Sequence, residues 1–261
     1  MTGAVTAIIA AIFLWWFSTG VILLAVRRAD RSGRHQAVVL AGLPLLVVGV
    51  GAVAASLMRA DVAGVYLGFL GALAIWGWIE LAFLAGVVTG PMRADCLPGL
   101  SGKARFFRAF VTVSHHELLL TAGLLGLVLA SGGAENHMAL ATYLILYLAR
   151  IFAKLNLFFG VPRINMEFVP LRLIHLKSYF RRGPVTLAFP AAITALTALL
   201  ALCTERLWFA GSDAAVAGYG LLTALVALAL LEHWLMVIPL PDAKLWRWML
   251  PAPKTMPKEE R

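Results

Sequence analysis

The chain has 261 residues, of which 61% are hydrophobic and only 13% are charged, with a mean hydropathy of +0.87. A soluble domain carries about 25% charged residues, so this composition excludes a soluble globular protein and indicates an integral membrane protein in contact with lipid. The net charge of +9 does not predict a nucleic-acid partner, because the basic residues lie in short segments between apolar runs, as membrane topology requires.

Seven apolar runs are long enough, at about 20 residues, to cross a bilayer. They predict an all-α, polytopic membrane helix bundle that forms a single domain, 1–261, since no segment between the runs could hold a soluble domain. The first run is followed rather than preceded by basic residues, which predicts an uncleaved anchor and not a signal peptide. The predicted spans are 5–26, 37–57, 62–88, 108–130, 138–160, 184–203 and 215–238.

The distribution of Lys and Arg predicts the orientation of the bundle. The segments after the first, third, fifth and seventh spans contain four, four, five and five of these residues, whereas the alternate segments contain one, none and one. The positive-inside rule then places the N-terminus outside and the C-terminus in the cytoplasm. It also predicts a basic cytoplasmic loop with an interfacial helix near 163–183, and a short cytoplasmic tail, 239–261.

Polar side chains interrupt four of the predicted spans at a similar depth, about 6–15 Å from the cytoplasmic end at about 1.5 Å per residue. An ionisable group at such a depth costs about 2.5–3.5 kcal/mol on insertion scales, so it normally faces a partner rather than lipid. His115, His116 and Glu117 are adjacent and cannot share one helix face, so at least two neighbouring helices must receive them. The residues predicted to bind a ligand are Glu80, His115, His116, Glu117, Glu232 and His233, with Tyr147, Arg150, Lys154 and Asn156 as polar partners.

Charge balance leaves more than one interpretation of this layer open. Its three acids carry one more charge than its two bases, Arg150 and Lys154, can neutralise, so the layer needs a proton or a cation. Carboxylates and imidazoles suit a divalent metal, although the Glu-x-x-His spacing of di-iron bundles is absent. The possible metal ligands are Glu80, His116, Glu117, Glu232 and His233.

A second interpretation is that one histidine ligates the magnesium of a chlorophyll-type pigment, with tryptophans such as Trp15, Trp16 and Trp234 packed on the ring faces. Helix–helix hydrogen bonding alone is a third interpretation. A proton or ion pathway is disfavoured, because no ionisable residue continues the layer to the outer face.

Several long motifs resemble the PuhE family, described as photosynthetic complex assembly protein 2 of purple phototrophic bacteria, and together they cover nearly the whole chain. The resemblance implies a multi-pass protein of the bacterial inner membrane, cytoplasmic or intracytoplasmic, that is linked to reaction-centre assembly and bacteriochlorophyll supply. It supplies no site residues. The motifs are FLWWFSTG (13–20), WGWIELAFLAGVVTGP (76–91), HHELLL (115–120), AKLNLFFGVP (153–162), HLKSYFRRGP (175–184) and LLEHWLMVIPLPDAKLWRW (230–248).

From the residues and the resemblance together, we expect a non-enzymatic assembly factor. It would bind bacteriochlorophyll or a nascent pigment–protein subunit through the His/Glu layer, with reaction-centre or light-harvesting subunits as partners. The alternative is a membrane metalloenzyme that acts on a pigment or isoprenoid precursor. The candidate cofactors are therefore bacteriochlorophyll or a divalent metal.

Overall fold

Seven helical segments in the described part of the chain, residues 2–239, are long and apolar enough to cross a membrane. This computed structural model confirms the predicted all-α bundle and the number of spans. The second span consists of two helices. The α-helices are α1 Thr2–Ser32, α2 His35–Ala41, α3 Leu43–Ser56, α4 Val62–Leu84, α5 Gly102–Ala130, α6 Met138–Phe159, α7 Ala188–Trp208 and α8 Asp213–Leu235, and two 3₁₀ helices cover Met166–Phe168 and Leu171–Tyr179.

Local backbone chemistry explains where the helices differ from the predicted spans. The second span is divided at Gly42, because Pro44 has no backbone N–H and starts a new helix in its first turn. The fourth helix ends at Leu84 rather than at residue 88. There Gly86 adopts a left-handed φ of 68°, and the N–H of Val87 donates to the carbonyl of Ala82, the pattern of a glycine-terminated helix.

The central helix of the bundle is α4, which packs against α1, α3, α5, α6 and α8. Small residues allow its closest approach, which is to α3. A Cβ atom at Gly71 would lie 2.8 Å from the carbonyl oxygen of Gly49 and 2.9 Å from the backbone nitrogen of Val53. Gly71 therefore lies on a packing face within the chain, of the kind that brings membrane helices into backbone contact.

We expect Gly71→Ala to destabilise the bundle by about 1–3 kcal/mol, because the added methyl group collides with backbone atoms of α3 that cannot move independently. Gly51→Ala is the matched control, since a Cβ atom there has open space around it. Denaturant unfolding in detergent measures both variants. Equal stability of the two would show that α3 and α4 do not approach this closely.

The segment predicted to hold an interfacial helix near 163–183 contains two 3₁₀ helices, and its position at the membrane interface stays a prediction. Leu173, Leu176 and Tyr179 recur every three residues, which is the 3₁₀ repeat, so all three face the same cavity. The guanidinium of Arg105 on α5 anchors this segment by donating to the carbonyl of Tyr179 at 2.5 Å. Apart from Pro239, the predicted tail 239–261 lies outside the described residues.

Candidate functional site

Five side chains of the predicted polar layer converge between α4, α5 and α6 and form what we term the charged network. Arg150 Nη2 lies 3.0 Å from Glu80 Oε2, and Lys154 is paired with Glu117. His116 lies between the two pairs, with its Nε2 atom 3.6 Å from Glu80 Oε1. Its Nδ1 atom is 3.4 Å from both Glu117 Oε1 and Lys154 Nζ. Acids and bases from three helices therefore neutralise each other around one imidazole.

The imidazole of His116 is enclosed by the fold. Its side chain is 0% exposed, and its ring stacks on Phe83 with centroids 4.1 Å apart. The backbone N–H of His116 donates to the carbonyl of Thr89 at 2.9 Å, which joins the loop after α4 to α5. That approach requires glycine at position 90, where a Cβ atom would collide with the carbonyl oxygen of Val111. The ring is consequently held in one orientation.

Two tyrosines continue the network along α6. Tyr143 is fully buried, and its hydroxyl donates to the carbonyl of Leu120 at 3.1 Å. The hydroxyl of Tyr147 lies 2.9 Å from Thr121 Oγ1, so these two groups share a hydrogen bond. The hydroxyls of both tyrosines therefore face α5.

A cavity of about 1020 Å³ lies beside the charged network, at the end of the bundle where α6 and α8 terminate. Its walls come mainly from α1, α5, α6 and α8, and the 3₁₀ segment closes its floor. α1 and α5 have at most a marginal contact with each other, and Ile12 of α1 and Phe110 of α5 both line the cavity and are exposed, so the cavity is open between these two helices. The aromatic lining residues are Trp15, Trp16, Phe83, Phe106, Phe110, Tyr147, Phe158, Phe168, Tyr179 and Phe180.

A few ionisable side chains line this largely apolar cavity. Glu117, Arg150 and Lys154 reach it from the charged network. Glu232 of α8 lies in the wall as well and is exposed, because it opens onto the cavity instead of being packed against a neighbouring helix. Glu232 lies within electrostatic range of Arg150, and Trp15 lines the same cavity. The cavity therefore combines an apolar body with ionisable groups on α5, α6 and α8, and Arg163, just after α6, also lines it.

Three predicted site residues lie outside both the network and the cavity. The side chain of His115 is exposed and points away from the cavity. His233 is buried, and its Nδ1 donates to the carbonyl of Ala229 at 2.7 Å. Asn156 is fully buried, and within residues 2–239 its amide has no hydrogen-bond partner. The described lining of the cavity contains no histidine.

The geometry offers little to a metal ion. Among the described residues, no group of three or more His, Cys, Asp and Glu side chains is arranged to hold one. Within the network, the carboxylates of Glu80 and Glu117 are each already paired with a base. The described residues therefore contain no group of side chains that could serve as the predicted metal site.

Several residues of the site are not evident from the sequence. Phe83 lies one helical turn after Glu80 and so shares its face, which is a usable signal for its contact with His116. No local pattern indicates that the carbonyl of Thr89 accepts from α5, or that Thr121 pairs with Tyr147. These contacts depend on how neighbouring helices are rotated.

Comparison with known proteins identifies relatives without an assigned activity. A family described as "Protein of unknown function (DUF3623)" matches residues 1–257. A protein of Rhodobacter capsulatus, described as "Uncharacterized 30.4 kDa protein in puhA 5'region", is 50% identical over 246 residues, which cover 94% of this chain and 90% of the relative. No solved structure matches the chain.

Proposed function

The chain belongs to the DUF3623 family, and we propose that it is an assembly factor of the PuhE type for the photosynthetic reaction-centre and light-harvesting complex. The proposal is supported by the 50% identical relative from Rhodobacter capsulatus, a phototroph, because the description of that relative places it in the puhA 5′ region. The long motifs described above agree with it. As a multi-pass protein, it would work within the bacterial inner membrane, next to the complexes that it serves.

The observation that carries a ligand-binding role is the cavity. Its volume, about 1020 Å³, is at the upper end of the roughly 300–1,000 Å³ typical of small-molecule sites, so it suits a large ligand. The gap between α1 and α5 would admit a lipid-soluble molecule without passage through water. An aromatic lining with a few polar groups matches a molecule with a flat apolar body and a polar centre.

A bacteriochlorophyll-type pigment has this character, and we assign it as the ligand class. When bound, the pigment would supply the light-absorbing macrocycle that is destined for a complex. The residues of this chain would bind and orient the pigment. Aromatic side chains such as Trp15, Trp16 and Phe110 would cover the ring faces, and the charged network would keep the polar wall in place. A nascent subunit would then receive the pigment within the membrane.

Purification from a phototrophic host tests this function directly. We expect the purified protein to show pigment absorption and to bring reaction-centre or light-harvesting subunits with it. Absence of pigment together with absence of those subunits would overturn the proposal. Pigment-free protein that still carries a subunit would move the role from pigment binding to subunit binding.

The proposed orientation, with the N-terminus outside and the C-terminus in the cytoplasm, can be tested with the two native cysteines. Cys96, in the loop before α5, is partly exposed and is predicted to be cytoplasmic, whereas Cys203 is buried in α7. In a Cys203→Ala background, we expect a membrane-impermeant maleimide to label Cys96 in inverted vesicles and not in intact cells. Labelling of intact cells alone would reverse the orientation.

A further inference from the structure

Glu232 is the acid of the cavity wall that remains available to a ligand. The other wall acid, Glu117, is paired with Lys154 and also lies 3.4 Å from the imidazole of His116. Glu232 instead opens onto the cavity, within electrostatic range of Arg150 but in no described ion pair. A ligand in the cavity can therefore reach this carboxylate without breaking an ion pair.

The ion pairs around the cavity leave the same carboxylate without a partner base. Glu80 and Glu117 are matched by Arg150 and Lys154, and Arg150 is already committed to Glu80 at 3.0 Å. Arg163 also lines the cavity, but among the described residues no base lies within ion-pair distance of Glu232. A carboxylate in that setting needs a proton or a partner that a ligand supplies.

None of the histidines expected to ligate a pigment can reach the cavity. His116 is enclosed between Phe83 and the charged network, and His115 points away. His233 follows Glu232 directly, but one residue corresponds to about 100° around a helix, so it faces a different side of α8. Its Nδ1 is bonded within its own helix. The donors that face the ligand are therefore oxygens rather than imidazole nitrogens.

We infer that Glu232 ligates the central magnesium of the pigment through a carboxylate oxygen. This inference rests on the proposed pigment-binding function and refines it, since the sequence predicted an imidazole ligand. Magnesium is a hard cation that prefers oxygen donors, and the Glu232 carboxylate supplies one. Trp15 lines the same cavity, so the carboxylate lies within the aromatic lining.

The test compares two pigments on the purified protein in detergent: bacteriochlorophyll, and the same pigment with its magnesium removed. Binding is followed by pigment absorption and by quenching of tryptophan fluorescence. We expect the wild-type protein to bind the magnesium form at least about tenfold more tightly than the metal-free form. Glu232→Ala should abolish this preference and leave affinity for the metal-free form unchanged.

Further variants separate ligation from packing. Glu232→His offers an imidazole at the same position and should restore part of the preference, because imidazole is also a ligand for metals. Glu135→Ala is the matched control, since Glu135 is an exposed acid in the loop before α6 and does not line the cavity. The nearly isosteric Glu232→Gln provides a test if the alanine variant fails to fold. It keeps a weaker oxygen donor and should show a reduced preference.

The outcomes distinguish this inference from the function on which it rests. If the wild-type protein binds neither pigment, the pigment-binding function fails and the inference fails with it. If the protein binds both pigments equally, and Glu232→Ala binds them as well as the wild type does, only the inference is overturned. Equal binding of both pigments that is lost in Glu232→Ala would instead identify Glu232 as a protonated donor to a pigment carbonyl, which also excludes ligation.

Discussion

Replacing Glu80 with alanine is expected to destabilise the protein by about 2–4 kcal/mol. Removing one partner of a buried ion pair typically costs about 3–5 kcal/mol, because the remaining charge has no compensation. The cost is lower here because Glu232 stays within electrostatic range of Arg150 and can take over part of the role of Glu80. Unfolding by denaturant in detergent micelles measures the change.

A double-mutant cycle shows whether the effect comes from the pair. If Arg150 is left uncompensated in Glu80→Ala, then removing it as well in Glu80→Ala/Arg150→Ala should recover part of the lost stability. Glu205→Ala, at an exposed acid near the end of α7, serves as the control and should stay within about 0.5 kcal/mol of the wild type. Strictly additive effects of the two substitutions would contradict the pairing of Glu80 with Arg150.

The pairing of Glu80 with Arg150 illustrates what the sequence could predict. Hydropathy and length located all seven spans, because backbone desolvation leaves few alternatives to a helix in lipid. Depth counting then placed ionisable groups of four spans at one level, and five of them do meet in the charged network. The high cost of an unpaired charge in lipid makes this kind of prediction dependable.

The adjacent residues His115 and His116 show where such reasoning stops. Their separation around the helix means that both cannot face the same neighbour, yet nothing local determines which one is buried. The structure buries His116 against Phe83 and exposes His115. The rotation of α5 that decides this places the His116 N–H against the loop carbonyl of Thr89, a residue 27 positions earlier in the chain, and no local pattern indicates that contact.

The cavity could not be predicted at all from hydropathy. The cavity lies between α1 and α5, which contact other helices rather than each other. Hydropathy does not reveal it, because the residues that face the cavity are as apolar as those that face lipid. The 3₁₀ floor was equally hidden, since its three-residue repeat is short and is confined to the nine residues that follow Pro170. For this reason, Glu232 could be predicted from the sequence as a ligand-binding residue, but its exposure in a cavity could not.

Blocking the cavity is expected to have the largest effect on function. Ala109 of α5 lines the cavity, and a tryptophan there would occupy space that the ligand needs without removing any member of the charged network. Steric overlap of this kind typically costs about 1–3 kcal/mol of binding free energy, which corresponds to a loss of roughly tenfold or more in affinity for the ligand. We therefore expect Ala109→Trp to lower the amount of assembled reaction-centre and light-harvesting complexes by about tenfold, measured by whole-cell absorption in a deletion strain that expresses the variant.

The matched control for this experiment lies on the same helix. Ala104 is exposed and does not line the cavity, so Ala104→Trp adds the same side chain to α5 without filling the site. Both variants should accumulate to wild-type levels in the membrane, because neither disturbs the α4–α5–α6 contacts that carry the ion pairs. If Ala109→Trp supports normal complex levels while the purified variant no longer takes up pigment, the cavity binds pigment for some purpose other than assembly. If the variant takes up pigment and assembles complexes normally, the site of action lies elsewhere on the protein.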